Sequence, residues 1–308
     1  MLNMKKILIF HPYLTPYRLD LYNNLFKSFD VFVMLTGNKK DISALGYDLN
    51  LVNKQAKFKF EYIKRGLYYG SHLISSIYFW TIRSFKPNVV IAHELGFNTI
   101  FAIILKKYFK YKLFVTIDDS PSMIMSYGKK RKLLQRYVVK HSDFFLVVHP
   151  EVKLFLEQEY IEVYNCKFMF FPIIQDDEIL LSKIKQSEAE SIKKIKQYNL
   201  IDKKVLLFVG RLETVKSPEL LLCAFKKVVQ KNIFLTIIGD GSLKNNLSNF
   251  VKENNLENKV IFTGQLSGQD LYAWYKIADI FVLPSQFEPF GAVVNEALVA
   301  GCKLIVSD

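Results

Sequence analysis

The stretch Ala278-Asp279-Ile280-Phe281-Val282-Leu283-Pro284-Ser285, leading into Glu288-Pro289-Phe290-Gly291 and Asn295-Glu296-Ala297, decides the reading of this 308-residue chain. Ile280–Leu283 is a short, uninterrupted apolar run, as in a strand buried on both faces of a parallel sheet. Pro284 ends it. A Pro-containing loop then carries Glu288, and Gly291–Ala300 reads as a helix. Glu296 falls about a turn and a half into that helix, on the face that looks back at the loop. Backbone N–H groups near Phe290 and Gly291, with the helix dipole behind them, suit an anion. A carboxylate at Glu296 can accept two hydroxyl hydrogen bonds, as a ribose would offer. Either glutamate alone also fits an ordinary surface position; their order and spacing argue for a site.

Working outward, the same strand–loop–helix unit recurs. Lys204–Val209, Phe234–Ile238, Val260–Phe262 and Lys303–Val306 read as further strands. Ser217–Lys231, Ser242–Asn254 and Ser267–Lys276 read as helices between them. Gly210-Arg211-Leu212-Glu213 and Lys216-Ser217-Pro218 form a loop that puts two cations where a parallel sheet presents its carboxyl-end crevice. Arg can make a two-pronged bond to phosphate and Lys supplies a point charge; plain surface solvation is the alternative for that pair alone. Ser217-Pro218 fits an N-cap followed by Pro at the first helical position. Gly239-Asp240-Gly241 suits a tight turn with close backbone approach to a ligand, or a plain strand-to-helix turn. It lacks GxGxxG spacing, which disfavours nicotinamide dinucleotides, and no P-loop pattern occurs.

The first half alternates in the same way. Lys6–Phe10, Val31–Leu35, Asn88–Ala92, Lys112–Ile117 and Phe144–Val148 read as strands. Tyr17–Ser28, Ser71–Phe85, Thr99–Phe109 and Lys129–His141 read as helices. Two such series predict two doubly wound α/β domains, with a boundary near Phe171–Ile179. The lysine-rich Ser182–Gln197 reads as a solvated helix.

Charge separates the halves. The chain carries 42 Lys and Arg against 29 Asp and Glu, net +13. Met1–Pro172 holds 25 basic and 13 acidic residues, while Ile173–Asp308 holds 17 and 16. A uniform excess would point to nucleic acid or an anionic membrane; an excess confined to one half, without a zinc-finger, RRM or OB signature, argues against nucleic acid. Lys129-Lys130-Arg131-Lys132 opens a cationic helix whose stripe of Leu133, Leu134, Tyr137 and Val138 either docks on an anionic membrane or packs on its own sheet. Cys166, Cys223 and Cys302 lie far apart, with no CxxC, which argues against a disulfide framework and a structural zinc site and reads as three buried thiols. No run resembles a signal peptide or a span. The expected location is cytoplasmic, peripheral at the inner face of the cell membrane.

The order Gly210-Arg211-Leu212 with Lys216, Gly239-Asp240-Gly241, Val260-x-Phe262-x-Gly264, Ala278 to Ser285 and Glu288-x7-Glu296 resembles the donor-binding domain of family 4 of the retaining nucleotide-sugar glycosyltransferases. The resemblance covers Val205–Asp308; Lys6–Phe10 with His11-Pro12-Tyr13-Leu14-Thr15-Pro16-Tyr17-Arg18 is similar more loosely to that family's first strand and loop. It implies a GT-B fold: α/β, with two Rossmann-like doubly wound domains facing a cleft. Residues 1–175 would bind the acceptor and 176–308 the donor. The second domain would be incomplete, because only Ser307 and Asp308 follow the last strand.

The same resemblance implies roles. Arg211 and Lys216, beside Gly210, would clamp a diphosphate; Glu296 would bond the ribose; Glu288 would face the transferred sugar. The Phe290-Gly291 backbone would meet sugar or phosphate, and Phe262 to Gly264 would lie near the base. Glu288, Arg211 and Lys216 form the expected catalytic set, with neither metal nor cofactor beyond the nucleotide diphosphate sugar. The expected acceptor is a glycan or lipid-linked glycan for a surface polysaccharide, lipopolysaccharide or glycolipid; a non-catalytic scaffold of the same fold is the alternative. Many family members carry a histidine where this chain has Asp118, which otherwise reads as a helix N-cap. His11, Tyr17, His93 and Asp118 are the acceptor-side candidates.

Overall fold

The computed structural model describes residues 4–37, 53–69, 72–94, 96–160, 167–173, 175–229, 232–288 and 290–307. Cys166, Pro289, Ser71, Lys231 and Asp308, which entered the sequence reading, lie outside them. The chain divides into Met1–Ile174 and Gln175–Asp308.

In the first unit the described strands are β1 (Lys6–His11), β2 (Asp30–Leu35), β3 (Lys59–Tyr62), β4 (Leu67–Tyr69), β5 (His72–Ile74), β6 (Val89–His93), β7 (Lys112–Ile117), β8 (Phe144–Val147) and β9 (Lys167–Phe170). Seven of them make a parallel sheet in the order β3-β2-β1-β6-β7-β8-β9. Alternate residues of β1 enter different layers: Leu8 and Phe10 pack with Val90, Ala92 and Val115, whereas Ile7 and Ile9 pack with Val31, Val33 and Ile91. That split follows from the two-residue period of a strand covered on both faces.

The second unit holds β10 (Lys204–Val209), β11 (Ile233–Ile238), β12 (Val260–Gly264), β13 (Ile280–Leu283) and β14 (Lys303–Val306), all parallel, in the order β12-β11-β10-β13-β14. Both sheets reverse direction beside their first strand, between β1 and β6 and between β10 and β13. Ligand crevices form at such switch points, outside the carboxyl ends of the strands.

Several expectations are corrected. His72–Ile74 pairs antiparallel with Leu67–Tyr69, so the helix expected from residue 71 starts at Ile77. Ser182–Gln197 is not one solvated helix: helices Asp177–Gln186 and Glu188–Gln197 meet at the buried Ser187. Lys194 is itself buried, 2.6 Å from Asp270 on the Gly268–Ile277 helix. Cys302 is buried but Cys223 is exposed, because Leu221, Leu222 and Phe225 take the inward face of the Pro218–Val228 helix.

Gly239 follows β11 with φ +146°, and an added Cβ would sit 1.8 Å from the Gly210 carbonyl oxygen. Leu212 N–H donates to Asp240 O at 2.9 Å, so the turns after β10 and β11 are laced together. The close approach that these glycines permit is therefore to a neighbouring backbone. We predict that Gly239→Ala destabilises the second unit by about 2–4 kcal/mol. Urea unfolding followed through the buried Trp274 measures this. Gly210→Ala, whose Cβ would make only an ordinary 3.4 Å contact with Phe208, should change the midpoint little.

Candidate functional site

At the second-unit switch point, the loop after β10 carries Gly210, Arg211 and Lys216, and the loop after β13 carries Glu288. The Gln286 N–H donates to Val215 O at 2.9 Å and joins the two loops. Lys216 Nζ forms a close ion pair with Glu288 Oε2. Ser285 Oγ donates to the same oxygen at 3.3 Å, and the Gly291 N–H donates to Glu288 Oε1 at 3.2 Å. Glu288 thus caps the Ala292–Val299 helix itself, and the Gly291 N–H expected to meet a ligand is already partnered. Gly291 adopts φ +71°, and a Cβ there would lie 3.2 Å from Glu288 Cγ. A side chain at 291 would disturb both the backbone and the carboxylate.

Arg211 is exposed, with the Glu213 carboxylate as its electrostatic neighbour. Glu213 accepts from Ser242 Oγ at 2.6 Å and Ser242 N at 3.0 Å, and these bonds hold its carboxyl below the usual range. Ser217 does not cap by its side chain; it is buried in a left-handed conformation, φ 49°, between the Thr214–Lys216 turn and Pro218. Phe262 is half-buried on β12, and Gly264 at its end accepts from the Gly239 N–H at 2.9 Å. Phe290 is half-buried just before Gly291.

Glu296 is held on both oxygens. Gln175 Nε2 donates to Oε1 and Tyr275 OH to Oε2, both at 2.8 Å. Lys183 Nζ donates to Gln175 Oε1 at 3.1 Å, which orients the amide. Burial pushes the Glu296 carboxyl above the usual range despite these bonds. Gln175, Lys183 and Tyr275 were not singled out from sequence. Gln175 stands 121 residues before its partner, and Tyr275 reads as an ordinary inward position of its helix.

The first unit places His11, His93 and Asp118 together at the ends of β1, β6 and β7. His11 Nδ1–H donates to Tyr13 O at 2.6 Å. Its ring lies 4.6 Å from that of His93, centroid to centroid. His93 Nδ1 lies 3.0 Å from Thr116 Oγ1. Asp118 is not a helix cap: Arg18 NH2 donates to its Oδ1 at 2.7 Å, and Arg18 is wholly buried, over the Phe171 ring. Burial opposes the Asp118 charge, yet His93, Arg18 and His11 hold its carboxyl below the usual range. Burial pushes His11 down to about 3, so its ring is neutral at physiological pH. Burial likewise raises the Tyr17 phenol, which feels the charges of Asp118 and Arg18.

Beside this cluster a cavity of about 660 Å³ is lined by Tyr13, Tyr78, His93, Glu94, Phe97 and Arg131, among others. Glu94 adopts a left-handed φ of 49°, and burial raises its carboxyl. Arg131 lies 3.6 Å over the Tyr127 ring and 3.4 Å from Asp119. On the cationic helix Val138 packs inward while Leu133 and Tyr137 stay exposed, so the expected stripe divides between core and surface.

Residues 191–308 match the family Glycosyl transferases group 1. The uncharacterized glycosyltransferase MJ1059 of Methanocaldococcus jannaschii is 30% identical over 240 residues, which cover 74% of this chain and 57% of that protein. The N-acetylgalactosamine-N,N'-diacetylbacillosaminyl-diphospho-undecaprenol 4-alpha-N-acetylgalactosaminyltransferase of Campylobacter jejuni is 27% identical over 201 residues, which cover 65% of this chain and 52% of that protein. The chain spans about half the length of these two curated relatives. The crystal structure of Anabaena HepE in complex with UDP and glucose is similar with a TM-score of 0.72 at 15% identity, covering 98% of this chain and 80% of that one. The second unit therefore carries a glycosyl transferases group 1 segment, and the chain has the α/β fold of the GT-B type.

A carboxyl whose folded pKa is raised stabilises the fold at low pH, and that stability is lost as pH rises through the folded value. Glu296→Gln is thus expected to raise Tm at pH 8 relative to the parent. The gain should shrink as pH falls toward the ordinary glutamate value of 4.5. A gain independent of pH in thermal melts would contradict the buried-charge account.

Proposed function

We propose that the protein is a retaining glycosyltransferase that moves a sugar from a nucleotide diphosphate sugar to a glycan or lipid-linked acceptor in the synthesis of a cell-surface polysaccharide, lipopolysaccharide or glycolipid. The observation that carries this reading is the pairing of Lys216 with Glu288 across two loops at the β10/β13 switch point, inside the segment that matches the transferase family.

The chemistry follows from charge. As the bond between the sugar and the diphosphate breaks, negative charge grows on the departing phosphate. Lys216 and Arg211 supply fixed positive charge there, which stabilises the departing diphosphate without a metal ion. Glu288 sits against Lys216 and faces the transferred sugar, while Glu296, positioned by Tyr275 and Gln175, accepts ribose hydroxyls. The acceptor hydroxyl oxygen attacks from the face that the diphosphate leaves: its bond to the anomeric carbon forms as the bond to the phosphate oxygen breaks, its proton passes to that departing oxygen, and the anomeric configuration is retained. In the first unit the cavity beside His93 and Glu94 takes the acceptor. The HepE complex with UDP makes uridine the first base to test, and the Campylobacter relative makes a diphosphate-linked lipid the first acceptor.

The first unit also has a surface suited to a membrane. Leu133 and Tyr137 are exposed among Lys129, Lys130 and Lys132, and the neighbouring Phe97–Phe109 helix exposes Tyr108. No helix among the described residues is long and apolar enough to cross a membrane; the contact proposed is a peripheral one.

Millimolar UDP, GDP or ADP should raise Tm, and Arg211→Ala or Lys216→Ala should weaken nucleotide binding by roughly 10- to 100-fold, the loss of one charge-assisted bond worth ~1.5–3 kcal/mol. Absence of a shift with all three nucleotides would sink the donor site. On vesicles with anionic lipid, flotation should fall with salt, and replacing Lys129, Lys130 and Lys132 by Gln should cost about 1 kcal/mol each. Equal flotation with neutral vesicles at high salt would refute electrostatic docking.

A further inference from the structure

Three buried side-chain nitrogens of the first unit lack a partner among the described residues, Arg18 Nε, Arg18 NH1 and His11 Nε2, and of these the imidazole nitrogen can act as a ligand. A buried polar atom left unpaired in a well-packed fold calls for an explanation, most often an ion or a bound water. Its surroundings supply one. Among the described residues, one ligand atom each from His11, His93 and Asp118 lies within 4.8 Å of the other two.

The three side chains are held as ligands are held. A carbonyl only accepts, so the 2.6 Å bond to Tyr13 O puts the His11 proton on Nδ1 and the lone pair on Nε2. The Thr116 hydroxyl lies 3.5 Å from Ala92 O and, donating there, accepts from His93 Nδ1 at 3.0 Å. That leaves the His93 lone pair on Nε2 as well. Arg18 occupies Asp118 Oδ1 at 2.7 Å and leaves Oδ2 for another partner. Fixed tautomers and an anchored carboxylate are the outer-shell arrangement that orients metal ligands.

We propose that His11, His93 and Asp118 form a binding site for a divalent transition-metal cation of the zinc, cobalt(II) or iron(II) class. Two imidazoles and one carboxylate favour such borderline ions over calcium and magnesium, which prefer all-oxygen shells. With bonds of ~2.0–2.1 Å, tetrahedral ligand atoms stand about 3.3 Å apart. A set within 4.8 Å therefore closes by at most about 1.5 Å in any ligand–ligand distance. The Arg18 guanidinium offsets the Asp118 charge and moderates the affinity. Glu94, whose carboxylate lies 3.9 Å from His93 Nε2, supplies a second negative charge on the other side. His93 and Glu94 line the 660 Å³ cavity, so a bound ion keeps open positions toward it. An oxygen ligand, a phosphate or a hydroxyl, can complete the shell there. The site stands on first-unit geometry and does not depend on the proposed donor chemistry.

The test uses the full chain, stripped of metals with a chelator. Cobalt(II) is the probe, because its visible absorption reports imidazole and carboxylate ligation directly. We expect one equivalent to bind with a visible band, and zinc, but not excess magnesium, to displace it. His93→Gln and Asp118→Asn should each weaken binding at least tenfold. Far-UV circular dichroism and the nucleotide-induced Tm shift, which reads the second unit, serve as checks that both variants fold. Absence of a band in the parent chain, an ordered water being then the only occupant, overturns the proposal. So does equal binding in both folded variants, or displacement by magnesium as readily as by zinc.

Discussion

A parallel sheet wound outward in both directions has one gap that no crossover helix covers, and both halves of this chain put their polar side chains there. Between β1 and β6, and again between β10 and β13, the connections leave in opposite directions and the carboxyl ends of the strands stay open. The strands are apolar because both faces are covered, so they can carry no chemistry themselves. Most candidate groups are therefore found where a strand stops: His11 at the end of β1, His93 at the end of β6, Asp118 after β7, Gly210 to Lys216 after β10, Glu288 after β13; Tyr17 and Glu296 stand on the helices that follow such loops. The fold decides where the charges go before any ligand does.

At both gaps the charges arrive in pairs. Lys216 faces Glu288, and Arg18 faces Asp118. Low exposure demands this, since an unpaired buried ion costs several kcal/mol. The pairs differ in what they can release. Glu288 has further donors, Ser285 and the Gly291 N–H, so it stays satisfied if an anion takes Lys216 from it. Arg18 is wholly buried and has no such second acceptor among the described residues; its pair with Asp118 is a fixed part of the fold that orients one carboxylate oxygen and leaves the other.

The apolar strands and the helices between them were legible because their periods are short and local. Lys204–Val209 and Ile280–Leu283 are found where the pattern puts them. The motif Glu288-x7-Glu296 was legible because both residues belong to one strand–loop–helix unit. What escaped was non-local or cut across a pattern. The β4/β5 hairpin hides its apolar Leu73 and Ile74 inside what reads as a helix start. Lys194 looks like one more solvated lysine until Asp270 comes to it from another helix. Cys223 is exposed because three neighbours already fill the inward face of its helix. Gln175, which orients Glu296, sits in a polar break far back in the chain and carries no local signal.

The charge asymmetry can be read at the level of pairs as well. The second half is nearly neutral because it holds 17 basic and 16 acidic residues, and several of its cations have carboxylate partners: Lys216 with Glu288, Lys194 with Asp270, Lys204 with Asp279, Lys244 with Asp240. An anion binding there gains only the difference between itself and the carboxylate it displaces, which favours a ligand that carries more than one negative charge and can engage Arg211 together with Lys216. In the first half part of the surplus lies on the Lys129–His141 helix, which exposes Lys129, Lys130 and Lys140 and contains no Asp or Glu. Exposed, mobile ammonium groups bind diffuse anionic surfaces better than they bind one defined anion, because each keeps its water and none needs a fixed geometry.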